Sequence, residues 1–415
     1  MSNSQVVTFG CRLNIFESEV IKNKLKEAGL NNTIIFNSCS VTSEAERQLR
    51  QSIRKHKRAY PEQQIIVTGC AAQIDPQKYA QMPEVDQVIG NSEKLELSSY
   101  SSSNVDKVRV KDIMSLTEAA SHMVSSFSGK VRAYLEIQNG CNHRCTFCII
   151  PYGRGNNRSV PVEQILAHCQ KIIAEGYNEI VLTGVDITDY GFNLANKPTL
   201  GSLVKNILAL NNELRVRLSS LDVAEIDDDL KELIVTEKRL MPHFHLSLQS
   251  GDDLILKRMK RRHSQKEIID FCNFVRLHRP DASIGADIIA GFPTETEAMF
   301  NNSLNLIKHL EIALLHVFPY SEREGTAAAR IPSERQVPIN IRKKRAKILI
   351  EQGKENLANF ATKFIGHNVS ALVESEHILK TDQFIKIKAK NHGFPLGSRV
   401  VVKVTKFQQD YLCIN

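Results

Sequence analysis

Residues 140–155 read Gly140-Cys-Asn-His-Arg-Cys-Thr-Phe-Cys-Ile-Ile-Pro-Tyr-Gly-Arg-Gly155, and this stretch decides the fold and chemistry expected for the middle of the chain. It holds three of the nine cysteines in 415 residues, with the spacing C-x3-C-x2-C. We call Cys141, Cys145 and Cys148 the compact triad. Three thiolates can hold three irons of a cubane iron–sulfur cluster and leave the fourth iron open.

The spacing of the compact triad allows two other interpretations. The three positions could share one face of a helix, but Gly140 before them and Pro151 after them disfavour a long helix. A structural zinc site would need a fourth ligand, and the available His143 is crowded between the cysteines. The pattern favours the open cluster. An open iron can bind the amino and carboxylate groups of S-adenosylmethionine, whose reductive cleavage gives a 5′-deoxyadenosyl radical.

The compact triad follows the first strand of a predicted series of alternating strands and helices, which runs to about Tyr320. The helix from Pro161 is the clearest, because its apolar residues recur with the 3.6-residue period. Six βα units predict a partial or full TIM-like β/α barrel, in which the chemistry lies on loops after the strands. The predicted strands are Val131–Ile137, Glu179–Leu182, Arg215–Leu218, Phe244–Leu248, Ile284–Ile289 and Ala313–Phe318.

Three further cysteines, Cys11, Cys39 and Cys70, are far apart in the sequence but occupy equivalent positions, and we call them the spread triad. Each follows a predicted strand by two or three residues, and predicted helices separate the strands. This βαβαβ order implies a parallel sheet whose strands end at one common edge. Any one of the three alone is typical of a core cysteine, but the repeat favours a shared site. The strands are Val6–Phe9, Thr33–Phe36 and Ile65–Thr68.

The whole chain is predicted to be α/β, with three domains and one linker. The N-terminal parallel βαβ domain covers residues 1–96, the linker 97–129, the barrel 130–360 and a last small domain 366–415. The last segment has short alternating strands, which predict a small all-β barrel of a kind that often binds nucleic acid. Its predicted strands are Val369–Val373, Gln383–Ala389, Val400–Phe407 and Tyr411–Ile414.

The composition is ordinary for a water-soluble protein, with 42% hydrophobic and 24% charged residues. We find no signal peptide and no apolar run long enough to span a membrane. We therefore expect a cytoplasmic protein without membrane association, in which grouped cysteines indicate a metal or catalysis rather than disulfides. The net charge of +8 is compatible with a polyanionic partner such as RNA.

Several motifs, together and in order, resemble the radical S-adenosylmethionine methylthiotransferase family over nearly the whole chain. The 140–155 stretch resembles the family's radical motif, and the last domain resembles a short version of its RNA-binding TRAM domain. Motifs similar to the family's N-terminal cluster domain are Phe9-Gly-Cys-Arg-Leu-Asn-Ile-Phe-Glu-Ser-Glu19, Asn37-Ser-Cys-Ser-Val-Thr42 and Thr68-Gly-Cys70. Motifs similar to its barrel are His245-Leu-Ser-Leu-Gln-Ser-Gly-Asp252, Asp287-Ile-Ile-Ala-Gly-Phe-Pro-Thr-Glu-Thr296 and Val317-Phe-Pro-Tyr-Ser-Glu-Arg-Glu-Gly-Thr326.

The resemblance implies two [4Fe-4S] clusters and S-adenosylmethionine as cofactors. The compact triad would hold the radical-generating cluster, and the spread triad would hold an auxiliary cluster that carries the sulfur to be inserted. Five residues are predicted to contact the cofactors from their loop positions and family match, although turn and capping roles explain such residues equally well. They are Gly184, Asp186, Ser219, Gln249 and Gly291.

The family has three familiar substrates: isopentenyladenosine in tRNA, threonylcarbamoyladenosine in tRNA, and an aspartate of a ribosomal protein. Gly10-Cys-Arg-Leu-Asn-Ile-Phe-Glu-Ser18 resembles the Gly-Cys-Lys-x-Asn-x-x-Glu-Ser start of the second class. Two features depart from the pattern of that class: Ser38, where Thr is usual, and the short tail. We therefore expect methylthiolation at C2 of N6-threonylcarbamoyladenosine at position 37, beside the anticodon. S-adenosylmethionine would serve as methyl donor and as radical source.

The partners that the resemblance implies are the tRNA anticodon stem-loop, an electron donor such as flavodoxin or ferredoxin, and a sulfur source. Two alternatives stay open. One is methylthiolation of a ribosomal protein aspartate. The other is an RNA-binding metalloprotein that holds zinc or an inactive cluster and catalyses nothing.

Overall fold

Parallel sheets dominate the first three quarters of the molecule, and a β-rich region forms the rest, so the predicted α/β class is confirmed. The computed structural model describes residues 4–101, 106–119, 124, 127, 129–390 and 392–414. None of the helices in these ranges is sufficiently long and apolar to cross a membrane.

The first domain is a parallel sheet of five strands in the order β1-β2-β3-β4-β5, with helices on both faces. Alternate residues of its buried second strand pack in opposite directions, Ile34 and Phe36 on one face and Ile35 on the other. The strands are β1 (Gln5–Thr8), β2 (Thr33–Ser38), β3 (Gln64–Gly69), β4 (Gln87–Ile89) and β5 (Val108–Arg109). The helices are α1 (Arg12–Glu27), α2 (Ser43–Ala59), α3 (Cys70–Ile74) and α4 (Pro76–Ala80).

The segment predicted as a linker, 97–129, contributes to the first domain. Its strand β5 pairs in parallel with β4 and completes the sheet beyond residue 96. The sequence signal for this strand is weak because it has two residues, and both are only partly buried. Residues 102–105, 120–123, 125, 126 and 128 of the segment lie outside the described residues.

The central domain is an open barrel made of two parallel sheets, in the orders β10-β9-β6 and β11-β12-β13-β14. All six predicted strands are present, and three short ones (β7, β8 and β11) add to them. The strands are β6 (Ala133–Glu136), β7 (Gln138–Asn139), β8 (Arg158–Ser159), β9 (Glu179–Thr183), β10 (Arg215–Leu218), β11 (Ser220–Leu221), β12 (His243–Gln249), β13 (Ser283–Ala290) and β14 (Leu314–Pro319). The helices are α5 (Ile150–Arg154), α6 (Val162–Ala174), α7 (Leu200–Leu208), α8 (Asp228–Thr236), α9 (Asp253–Met259), α10 (Gln265–His278), α11 (Glu297–His309) and α12 (Ile339–Thr362).

The inner face of this barrel is polar. Ile180 and Leu182 of β9 belong to the main hydrophobic core, so the alternate residue Glu179 faces the other way, into the barrel. On β12, Phe244 and Leu246 belong to the same core, which places His243 and His245 on the inner face. The apolar contacts that stabilise the barrel therefore lie between its strands and helices, and its interior is left for charged groups.

The last domain is a six-stranded sheet in the order β18-β15-β16-β17-β20-β19. The single strand predicted over Val400–Phe407 is wrong, because the chain breaks into two strands there, and the strand at 378–381 was not predicted. The strands are β15 (Asn368–Ser375), β16 (Ile378–Thr381), β17 (Lys386–Lys388), β18 (Arg399–Lys403), β19 (Lys406–Gln408) and β20 (Tyr411–Cys413).

The turn at residues 382–384, between β16 and β17, docks the last domain on the barrel, and we call it the docking turn. Asp382 pairs with Arg215 of β10 at 2.8 Å, and the carbonyl oxygen of Gln383 accepts a hydrogen bond from the Ser283 hydroxyl at 2.6 Å. The ring of Phe384 stacks on His243 with 4.8 Å between ring centroids. The docking turn therefore covers the end of the barrel at which its strands begin.

Candidate metal centres and active site

The compact triad lies in the loop between β7 and α5. Gly140 precedes it with a φ of +73°, and a Cβ there would lie 1.9 Å from the carbonyl oxygen of Asn156, so only glycine fits. The N–H of Cys148 donates to the carbonyl oxygen of Cys145 at 3.0 Å in a turn, and residues 141–149 contain no helix. The helical interpretation of the spacing is therefore wrong. The loop brings the three thiols together at the end of the barrel where its strands end, which we call the barrel mouth.

One carboxylate lies beside Cys141, and a second lies beside the neighbouring His143. Oδ2 of Asp186 is 3.8 Å from the Cys141 sulfur and 2.9 Å from Nε2 of His143, which also lies 3.2 Å from Glu225. Burial alone would lower the pKa of His143, but its bonds to the two carboxylates outweigh this and raise it to about 10. His143 is therefore an imidazolium at neutral pH, paired with acidic groups.

A buried guanidinium lies beside Cys145. Nη1 of Arg261 is 3.4 Å from the Cys145 sulfur, and Nη2 donates to Asp222 at 2.7 Å. His263 also contacts Asp222, at 3.1 Å. Burial would raise the pKa of Asp222, but the His263 bond and the Arg261 charge lower it to about 2. Asp222 thus stays ionised and holds Arg261 where it can stabilise a thiolate.

The spread triad converges at one end of the first sheet. Cys11 precedes α1, Cys39 follows β2 and Cys70 is the first residue of α3. A Cβ on Gly10 would lie 3.0 Å from the Cys39 sulfur, so the loop before Cys11 presses directly on Cys39. Burial raises the pKa of Cys39 to about 12, with contributions from the nearby thiols of Cys70 and Cys11.

An arginine from the barrel reaches the spread triad. Nε of Arg154 is 3.1 Å from the Cys70 sulfur, and Nη2 donates to Glu17 at 2.9 Å and to Asn14 at 2.5 Å. Lys94 approaches the same carboxylate, with Nζ 2.7 Å from Glu17. Arg154, Glu17 and Lys94 are at most 2% exposed. The two domains therefore share one buried ionic network at this thiol.

The short helix α5 connects the two triads. It begins two residues after Cys148 and ends at Arg154, whose side chain contacts Cys70. A Cβ on Gly153 would lie 3.3 Å from Cβ of Cys70, and Asn91 donates to the carbonyl oxygen of Gly153. The backbone of α5 therefore packs closely against the spread triad, and a Cβ on Gly153 would require its neighbours to shift slightly.

Each triad has the donor set that a cluster with one open iron requires. The other three cysteines are elsewhere: Cys169 and Cys272 belong to the main core, and Cys413 ends β20. One thiol of each triad also receives an N–H from a buried arginine, Arg154 or Arg261. Such donors stabilise metal-bound thiolates. The residues present therefore fit two three-thiolate sites, and their role as ligands stays a prediction.

The five predicted cofactor contacts all lie at the strand ends that face the barrel mouth, but with different surroundings. Asp186 contacts the compact triad directly. Ser219 is buried between β10 and β11, and Gln249 ends β12 with a left-handed φ of +63°. A Cβ added to Gly184 would lie 2.7 Å from the carbonyl oxygen of Gln138, and a Cβ added to Gly291 would lie 2.6 Å from Cγ of Arg342. Close packing accounts for both glycines, and cofactor contact by any of the five stays a prediction.

Sequence reasoning missed the charged groups around the triads. A signal existed for Asn14 and Glu17, because both fall on the face of α1 that carries Leu13, Val20 and Ile21, where apolar residues are expected. Lys94, Asp222 and Arg261 lie outside regular helices and strands, and no periodicity marks them.

Models of two known families match the two parts of the chain that hold the triads. A model of the radical SAM superfamily matches residues 135–307, and a model described as uncharacterized protein family UPF0004 matches residues 3–90. Among solved structures, the radical S-adenosylmethionine methyltransferase TsrM from Kitasatospora setae is similar, with a TM-score of 0.56 and 11% identity over 79% of this chain and 77% of that chain. This likeness shows the fold alone. The fold and the compact triad define a radical S-adenosylmethionine protein.

Two curated relatives cover nearly the whole chain. Threonylcarbamoyladenosine tRNA methylthiotransferase MtaB of Rickettsia prowazekii (strain Madrid E) is 53% identical over 98% of this chain and 96% of its own length. The protein of the same name from Aquifex aeolicus (strain VF5) is 37% identical over 93% and 96%. The chain belongs to the radical S-adenosylmethionine methylthiotransferase family, as its motifs predicted. Membership implies a [4Fe-4S] cluster and S-adenosylmethionine as cofactors.

Proposed function

We propose that this protein replaces the hydrogen on C2 of N6-threonylcarbamoyladenosine, at position 37 of tRNA, with a methylthio group. The observation that carries the proposal is the pair of three-thiol sites joined by α5. The names of the two relatives support the substrate. An aromatic C2–H is too inert for general acid–base catalysis, which explains why such an enzyme would need a radical.

In this proposal, Cys141, Cys145 and Cys148 hold the first cluster. When bound there, the cluster supplies the electron that cleaves S-adenosylmethionine and so generates the radical that takes the C2 hydrogen. Arg261 donates to one of the thiolates, and the ionised Asp222 keeps Arg261 in place. Gly184, Asp186, Ser219, Gln249 and Gly291 are the proposed contacts of S-adenosylmethionine at the barrel mouth.

Cys11, Cys39 and Cys70 would hold a second [4Fe-4S] cluster, which would carry the sulfur. One S-adenosylmethionine would methylate that sulfur and another would provide the radical. The buried network of Arg154 and Glu17 excludes water from one side of this site and directs an N–H at the Cys70 sulfur. Because α5 contacts this site and begins beside the other triad, an adenosine at the barrel mouth would meet both.

The proposed partners follow from the same chemistry. The anticodon stem-loop of tRNA would be the substrate, and the net charge of +8 and the β-rich last domain are compatible with binding it. Reduction of the first cluster requires an electron donor such as flavodoxin or ferredoxin, and the inserted sulfur requires a sulfur source. Substrate and partners of this kind are cytoplasmic.

Nucleoside analysis tests the proposed function. Deletion of the gene is expected to remove 2-methylthio-N6-threonylcarbamoyladenosine from tRNA hydrolysates, and N6-threonylcarbamoyladenosine should accumulate. Re-expression of the wild-type chain should restore the product, whereas a Cys141→Ala variant should not. If the nucleosides are unchanged and a ribosomal protein instead loses the mass of a methylthio group, the alternative substrate is correct.

Metal analysis tests the non-catalytic alternative. Anaerobically purified protein is expected to contain iron and labile sulfide, and after reduction to release 5′-deoxyadenosine from S-adenosylmethionine. Zinc without labile sulfide would show that the chain is a structural metalloprotein and not an enzyme of this kind.

A further inference from the structure

The end of the barrel interior that the docking turn covers is rich in positive charge. Four cationic groups surround the ring of Phe384, at 3.6–5.6 Å from its centroid: Arg12, Arg132, Arg217 and Lys380. One carboxylate, Glu179, pairs with Arg132, Arg215 and Arg217 together. Glu374 and Asp382 supply the remaining pairs. Cations therefore outnumber the carboxylates that pair with them.

Two buried arginines in this cluster lack an acceptor for one of their terminal nitrogens. Nη2 of Arg132 and Nη2 of Arg217 make no hydrogen bond within the described ranges, and the two residues are 4% and 0% exposed. Burial and the charges of Arg217, Arg12 and Lys380 together lower the pKa of His243 well below its usual range. A buried N–H without an acceptor is unfavourable, so this positive field favours an incoming anion.

Among the described residues, Arg12 is the cation of this cluster that has no anionic partner. No ion pair or hydrogen bond to its side chain is found in the part of the chain that the structure describes, and the residue is only partly buried. It directly follows Cys11 and starts α1. Its guanidinium extends from the spread triad into the barrel, where Tyr134 and Asp287 are its electrostatic neighbours.

Solvent approaches the surroundings of Arg12 from the side of β14. Asp287 there is bonded to His245 at 3.0 Å and to His316 at 3.2 Å, so its charge is already engaged. The His316 side chain, which contacts Asp287, is 62% exposed, so the Asp287 side of Arg12 lies near solvent. A substrate that reaches this side of the barrel can place an anionic group against Arg12.

We propose that Arg12 binds the carboxylate of the threonylcarbamoyl group and so selects this nucleoside against adenosines with an uncharged N6 substituent. The inference rests on the proposed function and deepens it. Threonine joined through its amine to a carbamoyl group keeps a free carboxylate, whose carbon lies seven bonds from C2. An arginine side chain spans a similar distance between the spread triad and the barrel interior. Cys11, which would serve sulfur insertion, and Arg12, which would select the substrate, are thus adjacent in the sequence.

The test compares three synthetic anticodon stem-loops bound to reconstituted enzyme with both clusters. They carry at position 37 the threonylcarbamoyl nucleoside, its methyl ester, or unmodified adenosine. The wild-type enzyme is expected to bind the free acid about tenfold to a hundredfold more tightly than the ester, as a charge-assisted bond requires. Arg12→Gln should abolish this preference and leave ester binding unchanged, and Arg12→Lys should keep part of it. Arg58→Gln, an exposed arginine of α2, is the matched control.

Each failure has a distinct meaning. Equal binding of acid and ester by the wild-type enzyme overturns the proposal without any variant. If Arg12→Gln weakens all three stem-loops equally, the residue contacts a backbone phosphate. If it weakens S-adenosylmethionine binding and keeps the acid preference, the residue contacts the cofactor. If wild-type enzyme neither prefers nor methylthiolates the threonylcarbamoyl stem-loop, the proposed function itself is wrong.

Discussion

Among single residues, Arg154 has the widest role, because it is buried between two domains. It shares the carboxylate of Glu17 with Lys94, and all three side chains are removed from solvent. Burial would raise the pKa of Glu17, but the Arg154 and Lys94 charges outweigh this and lower it. Buried charges of this kind are tolerated only when each is paired, so the network is stable only when complete.

Arg154→Met is therefore expected to destabilise the protein by about 3–5 kcal/mol, because it leaves Glu17 with one buried cation instead of two. The measurement is urea unfolding of the variant against wild type. Adding Glu17→Gln should recover part of the loss, and Arg47→Met, which breaks an exposed pair with Glu44, should change little. A loss in the double variant equal to the sum of the single losses would show that Arg154 and Glu17 do not interact.

Lys380 gives a prediction about pH. Burial lowers its pKa to about 8, so between about pH 8 and 10.5 the unfolded chain holds a proton that the folded chain has released. Stability should therefore rise with pH over that interval. Lys380→Met should remove this rise and increase the free energy of unfolding at pH 7 by about 1–2 kcal/mol, since no charge is buried. Lys388→Met, on an exposed position of β17, should keep the wild-type slope. If the stability of Lys380→Met rises with pH as steeply as that of the wild type, the lowered pKa of Lys380 is not the cause of the rise.

Among secondary structure elements, the five-residue helix α5 is constrained by close packing on one of its faces. Its Gly153 packs against Cys70 and Ile74, while Tyr152, the preceding residue, is 50% exposed. Side chains added on the packed face must push α5 away from α3, whereas changes on the exposed face need not. Gly153 therefore allows α5 to lie in close contact with the helix that begins at Cys70.

Gly153→Val should separate the cleavage of S-adenosylmethionine from the formation of the methylthiolated product. We expect cleavage of S-adenosylmethionine to 5′-deoxyadenosine to continue, because the compact triad precedes α5, while methylthiolated product falls at least about tenfold, as a small misplacement of reacting groups costs. Tyr152→Ala is the control on the same helix and should keep the wild-type ratio of product to 5′-deoxyadenosine. Full product yield from Gly153→Val would show that the spacing is not critical.

Across the whole molecule, the two proposed metal sites predict two separate losses of iron and sulfide. The triple variant with Ala at 11, 39 and 70 and the triple variant with Ala at 141, 145 and 148 should each retain about half of the iron and sulfide. The first should still cleave S-adenosylmethionine without forming product, and the second should do neither. Cys413→Ala should keep the full content. Loss of all iron in either triple variant would indicate a single shared cluster.

Much of this architecture follows from the sequence because its signals are local. Strand and helix periodicity located the barrel strands and placed Cys11, Cys39 and Cys70 at one sheet edge. The strand at Val108–Arg109 is too short to have a period. The break between β18 and β19 arises because β18 pairs with β15, whereas β19 pairs with β20. Arg154 and Arg261 were not predicted as thiol partners, since contacts between separate domains or across a barrel leave no mark at fixed spacing.

The contact between Arg154 and Cys70 also bears on how the protein matures during synthesis. The three thiols of the spread triad leave the ribosome first, but the guanidinium that completes their surroundings lies 84 residues further along. Until the barrel has begun to fold, Glu17 and Lys94 lack the Arg154 side chain that completes their buried network. The N-terminal site should therefore acquire its metal late, after the chain beyond α5 has been made, and a truncated N-terminal domain should bind iron poorly although it contains every thiol.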